Sequence, residues 1–273
     1  MQNESDRCSV KENYKAQMNS IVRYSYREEV EKYYSCFLGS NENLFDKHSS
    51  EVYSFFSPVR NVALPGYGQC FDLVVIISEK ATVISYGDVA KEKIPHLINL
   101  LQAENINPYE ALYKTFGIEP RHSLKYFFGG KVPETKNAHL LNHSDYSAFE
   151  TFYRSNNPDE QDTSWLHEYF DEMVSKQICC GVFVDCQLVS CTDSPTVPFM
   201  SDLICEIGIN TLKEYCNQGF AKDACSCAIH EILRQGKIPI WSTDVKNIPS
   251  QKLAESSGFR IWGESFSVSI QQK

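Results

Sequence analysis

The sequence predicts an α/β chain of the α+β kind. A smaller N-terminal α+β unit is expected over 1–128 and a larger unit over 138–273. Three observations carry this. Apolar residues recur at period two in some segments and near period 3.6 in others. Gly129, Gly130 and Pro133 punctuate the chain, with 131–137 as a linker. Beyond it the elements read β-α-α-β-β-β-α-β-α-β-β.

In order, the first ~20 residues are polar and expected to fray. Tyr24–Gly39 has helical spacing at Val30, Tyr33, Tyr34 and Phe37. Phe71–Asp88 is two β-rich runs around a polar turn at 78–80. Asp88 is a candidate cap for a helix carrying Ile94, Leu97, Ile98 and Leu101. A short helix is expected after Pro108, with Leu112 and Phe116 inward. No catalytic motif stands out in this half, which is expected to pack on the second unit. A chain starting at Lys131 is then expected to keep ligand binding and lose turnover or solubility.

In the second half, Ser144 or Asp145 is a candidate cap for a helix with Tyr146, Phe149 and Phe152. The next helix, over 164–176, has Trp165, Tyr169, Phe170 and Met173 as its apolar stripe. Cys179–Ser190 reads as a hairpin and Leu203–Leu212 as a strand. After a glycine-bearing turn and a helix come a strand, IPIWSTDV, a helix ending at Gly258, and a final strand pair in RIWGESFSVSI.

Composition narrows the function. A formal net charge of −9 argues against nucleic acid or an anionic membrane as partner and is compatible with a cationic small substrate. The eleven cysteines are odd in number, form no CxxC pair and do not resemble a disulfide framework or a zinc site. Met1–Lys15 has no apolar signal core, and the run Leu73–Ile77 is too short to span a bilayer. A reduced, cytoplasmic protein without a metal is expected.

The chemistry concentrates at Cys216–Gly236. A helix start presents N–H groups with no intrahelical partner, and the helix dipole adds positive charge there. Asn217, Gln218, Gly219, Phe220 and Ala221, with Lys222 following, form a candidate cradle for a pyrophosphate. Gly219 and Ala221 are small enough to let backbone approach a ligand.

The element order, this turn and Asn247–Phe259 together resemble the GNAT superfamily of acyl-CoA N-acyltransferases. The family's phosphate turn, Gln/Arg-x-x-Gly-x-Gly/Ala, reads here as Cys216-Asn217-Gln218-Gly219-Phe220-Ala221. Its later signature, Asn-x-x-Ser/Ala-x-x-Leu-Tyr-x-x-x-Gly-Phe, reads as NIPSQKLAESSGF from Asn247. Cys216 stands in place of the long polar residue, and Ala254 in place of the frequent tyrosine. The resemblance covers about 138–270. With a separate α+β half in front, the chain looks most like the bacterial branch that includes zwittermicin-A-resistance-type acetyltransferases.

The resemblance implies the family's fold, with a mixed, mostly antiparallel sheet, acetyl-CoA as donor and a small-molecule or peptide primary amine as acceptor. It implies a bulge whose free backbone groups, at Ile209, Asn210 and Thr211, bind the pantetheine and polarise the thioester. Asn247 matches a pantetheine-side position. Glu206, on the same strand, is the candidate general base. With the family tyrosine replaced by Ala254, Ser250, Tyr215 or solvent is left to protonate the leaving thiol. A GNAT-like acyl-CoA-binding or interaction module without catalysis is the alternative. The acceptor's identity and the oligomeric state have no sequence code.

Overall fold

The computed structural model describes residues 26–46, 52–103, 106–195 and 197–270. The N-terminal stretch expected to fray lies outside them.

Helix α1 (26–38) is followed by β1 (Val52–Phe56), β2 (Leu73–Ser78), β3 (Thr82–Tyr86), α2 (Ile94–Leu101), α3 (Pro108–Phe116) and β4 (Arg121–Phe128). After the linker come β5 (His139–Leu140), α4 (Tyr146–Asn156), α5 (Leu166–Ser175), β6 (Cys180–Val184) and β7 (Gln187–Asp193). The chain ends with β8 (Ile204–Glu206), β9 (Gly208–Thr211), α6 (Phe220–Arg234), β10 (Ile238–Asp244), α7 (Ile248–Ser256) and β11 (Phe259–Val268).

The strands form two sheets. One has seven strands in the order β1-β3-β2-β11-β4-β10-β8, and the other has four in the order β5-β6-β7-β9. Among the described residues only β1–β3 and β8–β10 pair in parallel. The linker contains no helix or strand, yet strands from both sides of it share the large sheet: β11 pairs with β2 on one edge and with β4 on the other.

Alternation along the strands decides what covers each face. Ser123, Lys125 and Phe127 of β4 share a face with their cross-strand partners Ser265 of β11 and Ser242 and Ile240 of β10. Helix α1 covers part of this face through Val30, Tyr33 and Tyr34, which cluster with Ile204, Ile240 and Trp262. On the opposite face Leu124, Tyr126, Trp241 and Phe259 pack under α6 through Cys225, Ala228 and Ile229. Helices α2 and α3 cover the β2 and β3 end of that opposite face with Leu97 and Leu112. In the small sheet, α4 and α5 bury Phe149, Phe152 and Phe170 against Leu188 and Cys191.

Most expected elements are present, with four corrections. The final strand pair is one bulged strand, β11, whose register shifts between Ile261 and Gly263. Gly263 allows a close approach rather than a turn: a side chain there would press on the Ile77 carbonyl at 2.5 Å. Asp88 does not cap α2, because a 3-10 turn over Asp88–Lys93 intervenes and its carboxylate accepts from the Asn61 amide at 2.6 Å. Asp145 holds the N-cap position of α4 but makes no capping bond there; it closes a capping box on the preceding 3-10 turn, accepting from Asn142 N–H at 2.8 Å while the Asn142 side chain accepts from Ser144 N–H at 3.0 Å. Trp165 leaves the apolar stripe of α5 and is 43% exposed, because it precedes the helix.

Candidate functional site

The strand expected over 203–212 is split. β8 pairs with β10 up to Glu206 opposite Ile240, and Ile207 gives its N–H to the Ile240 carbonyl at 3.2 Å. β9 instead pairs with β7, with Asn210 opposite Cys191. The bond from Leu212 N–H to the Val189 carbonyl, at 2.9 Å, fixes the phase of that ladder. In an antiparallel pair, alternate residues bond one neighbour. Gly208, Asn210 and Leu212 therefore turn their main chain to β7. Ile209 and Thr211 turn theirs to the edge that β10 has left. Two of the three expected backbone positions thus face the fork. Asn210 does not: its main chain is committed to β7 and its exposed side chain lines a cavity under α4 and α5.

The turn into α6 has the expected local form. Gly219 is the N-cap at φ 89°, and Asn217 is also left-handed at φ 62°. The first intrahelical bond runs from Asp223 N–H to the Gly219 carbonyl at 3.0 Å. The N–H groups of Phe220, Ala221 and Lys222 precede it and have no helical acceptor. Gln218 folds back to donate to the Glu214 carbonyl at 3.0 Å, so its amide belongs to the turn. Across a cavity of about 670 Å³ from Gly219 lies the linker, through Lys131 and Lys136. Asp223, unremarked in the sequence, clamps the linker: its carboxylate accepts from the N–H groups of Lys136, Asn137 and Ala138 at 2.6, 2.7 and 3.0 Å.

Asn247 caps α7, its side-chain oxygen accepting from Ser250 N–H at 3.2 Å. Ser250 Oγ accepts from the indole of buried Trp241 at 3.1 Å, a structural task that leaves its own proton free. Ala254 is fully buried. The Tyr215 hydroxyl donates to Gln187 at 3.2 Å.

Glu206 shares the α1-side face with Ile240, Ser242 and Lys125, and lines a cavity of about 250 Å³ with the last two. Burial raises its pKa, opposed by the Lys125 charge and assisted by Asp193. Lys125 is buried; burial lowers its pKa, opposed by Glu206. Its Nζ donates to Ser242 Oγ at 2.6 Å. The sequence reading assigns no element to 121–128; the signal was an alternating run in which Arg121, Ser123 and Lys125 share one face. On the other side of the fork, Asp193 opposes Gly208 and lies 3.4 Å from the Tyr169 hydroxyl, in the cavity that Trp165, Tyr153 and Asn210 also line. Burial raises the pKa of Asp193, and its bond from Tyr169 opposes the rise.

The start of α6, the β9 edge turned away from β7 and the Glu206 carboxylate at the fork are the features that the chain brings together here. Residues 150–264 match the profile of the GNAT acetyltransferase family. The fold is the GNAT fold, with its splayed strands at β9 and β10. Among solved structures, the chain is similar to a GNAT-family acetyltransferase from Colwellia psychrerythraea, at 20% identity over 55% of this chain and 56% of that one, with a TM-score of 0.46. A GNAT-family protein from Novosphingobium aromaticivorans is 21% identical over 55% of this chain and 64% of that one, with a TM-score of 0.43. The structure of yncA from Salmonella typhimurium with its cofactor acetyl-CoA is 13% identical over 50% of this chain and 95% of that one, with a TM-score of 0.39. The chain thus spans 56% and 64% of the lengths of the first two. No curated protein matches it. Among the described residues, no helix is long and apolar enough to cross a membrane.

Proposed function

We propose that the chain is an N-acetyltransferase that moves an acetyl group from acetyl-CoA to a primary amine. The observation that carries this is the fork at Ile207: two strand positions with unpaired main chain, Ile209 and Thr211, begin immediately beyond the half-buried carboxylate of Glu206. The pyrophosphate is held by the free N–H groups of Phe220, Ala221 and Lys222, with Asn217 and Gly219 shaping the turn. The open edge of β9 holds the pantetheine arm, and the Asn247 amide is placed to assist it. Acetyl-CoA, when bound, supplies the activated acyl group.

Glu206 takes a proton from the incoming ammonium, directly or through one water. Its raised pKa brings the carboxylate closer to the range in which a base is both ionised and effective. The N–H of Ile209, turned to the open edge, polarises the acyl oxygen. The amine nitrogen then bonds to the acyl carbon, the carbon–sulfur bond breaks, and the thiolate collects a proton from solvent or from the Ser250 hydroxyl.

The acceptor is a small molecule, and neither nucleic acid nor a membrane surface takes part. The front half and the two signatures support placement in the zwittermicin-A-resistance-type branch, and the free thiols of the described cysteines support a cytoplasmic setting. The test is a thermal shift with acetyl-CoA followed by thiol release across a panel of amines. Stabilisation without thiol release on any amine would instead identify an acyl-CoA-binding module, the reading that buried Ala254 favours.

A further inference from the structure

Lys125 occupies a costly position. It lies on an interior strand, is 9% exposed, and among the described residues no carboxylate comes within ion-pair distance of its Nζ. Its nearest opposing charge, Glu206 across the cavity, lies beyond ion-pair distance, and a buried ammonium so placed is unfavourable: one neutral hydroxyl does not offset its burial. Its surroundings are arranged for an anion. Ser123 and Ser265 line the same cavity, and Arg121 stands two strand positions before Ser123 at its exposed end. Glu206 faces these donors from β8. The cavity thus has an anion-accepting wall opposite one carboxylate, in a volume of about 250 Å³.

We infer that this cavity takes an acceptor bearing a carboxylate beside its amine, a free amino acid, with Lys125 holding the carboxylate and Glu206 the ammonium. The amine's fate rests on the acetyltransferase reading; the binding does not. Tyr67 and Phe37 of the N-terminal half close the cavity over the sheet, so that half helps to form the acceptor site.

The test is calorimetry on the full chain with CoA present, so that no turnover occurs. The ligands are the twenty amino acids, their decarboxylated amines such as tyramine and histamine, and O-phosphoethanolamine. At least one amino acid should bind, and its decarboxylated partner should bind about tenfold or more weakly, as expected for loss of a charge-assisted bond. Lys125→Met should abolish that difference while CoA affinity is kept. Lys125→Gln, which retains a donor toward Ser242, gives the same reading if the methionine variant does not fold. Binding by no amino acid, equal binding of the amines, binding of O-phosphoethanolamine alone, or unchanged discrimination in both variants overturns the inference. An amino acid that binds without thiol release when acetyl-CoA replaces CoA would support the inference and sink the acetyltransferase reading.

Discussion

Ile207 and Ile240 mark the crotch of the fork: the N–H of the first meets the carbonyl of the second at 3.2 Å, and β9 then leaves for β7. The phase of the β7–β9 ladder turns Thr211 N–H away from β7, and none of the described strands pairs with it there. Thr211→Pro removes that donor without breaking a ladder bond, a position where proline is tolerated, and also removes the 2.8 Å bond between the Thr211 and Ser190 hydroxyls, which Thr211→Val removes alone and so controls for. The proline variant should fold and bind acetyl-CoA about tenfold more weakly, the loss of one hydrogen bond. Unchanged affinity by calorimetry would place the pantetheine elsewhere.

Gly219 is held at φ 89°, and a Cβ there would meet no protein atom within 4 Å. A bulky side chain therefore disturbs only the backbone conformation and the space above the turn. Gly219→Val is expected to fold with a stability loss of roughly 1–2 kcal/mol and to lose measurable acetyl-CoA binding. Circular dichroism and calorimetry check the two halves of the statement.

Glu206→Gln keeps shape and removes basicity. A fall in kcat/KM of about 10²–10⁴ is expected with acetyl-CoA affinity retained. The deficit should shrink at high pH, where the amine is already neutral. Stability should move the other way. Because burial raises the folded-state pKa of Glu206, its favourable contribution is complete below the unfolded value, about 4.3, and fades as pH rises through the raised one. The variant should thus melt higher than the parent near neutrality, with the gap closing in acid. A rate within twofold of the parent at neutral pH removes Glu206 as base.

Ser250→Ala separates structure from catalysis. It strips the buried Trp241 indole of its acceptor, which should cost about 1–3 kcal/mol. If Ser250 also protonates the leaving thiol, kcat falls with an altered pH profile. If kcat at a temperature well below melting is unchanged, solvent is the acid.

A chain truncated to begin at Lys131 loses β4 from between β10 and β11. Two strands would then expose unpaired edges, and the Lys125 cavity would be gone. The expectation from the sequence that such a chain keeps ligand binding is therefore reversed: it is expected to aggregate and not to bind acetyl-CoA. A chain beginning at Ile118 retains β4 and should be measurably more soluble; equal behaviour of the two would show that β4 is dispensable.

What could be read from the sequence was local. The turn at Gly219 and the cap at Asn247 depend on residues a few positions apart, and both appear as expected in form. The hairpin over Cys179–Ser190 is present, with its turn at Asp185 and Cys186 in left-handed conformations. The placement of β4 was not legible, because nothing in Arg121–Phe128 specifies which two strands will flank it. Lys125 was hidden for the same reason: its burial comes from β10 and β11, more than a hundred residues away. The phase at Asn210 depended on where β9 leaves β10, a property of the pairing rather than of the residue.

β11 also sets a constraint in time. It lies between β2 and β4, and it is the last of the described strands to leave the ribosome. Until it arrives, β2 and β4 each present an unsatisfied edge, and the nascent chain holds two half-sheets with no seam between them. Closing that seam joins residues far apart in sequence, Leu73 with Val268 at one end, which is the slow class of strand pairing. The period between synthesis of β4 and docking of β11 is when this protein most needs protection from its neighbours.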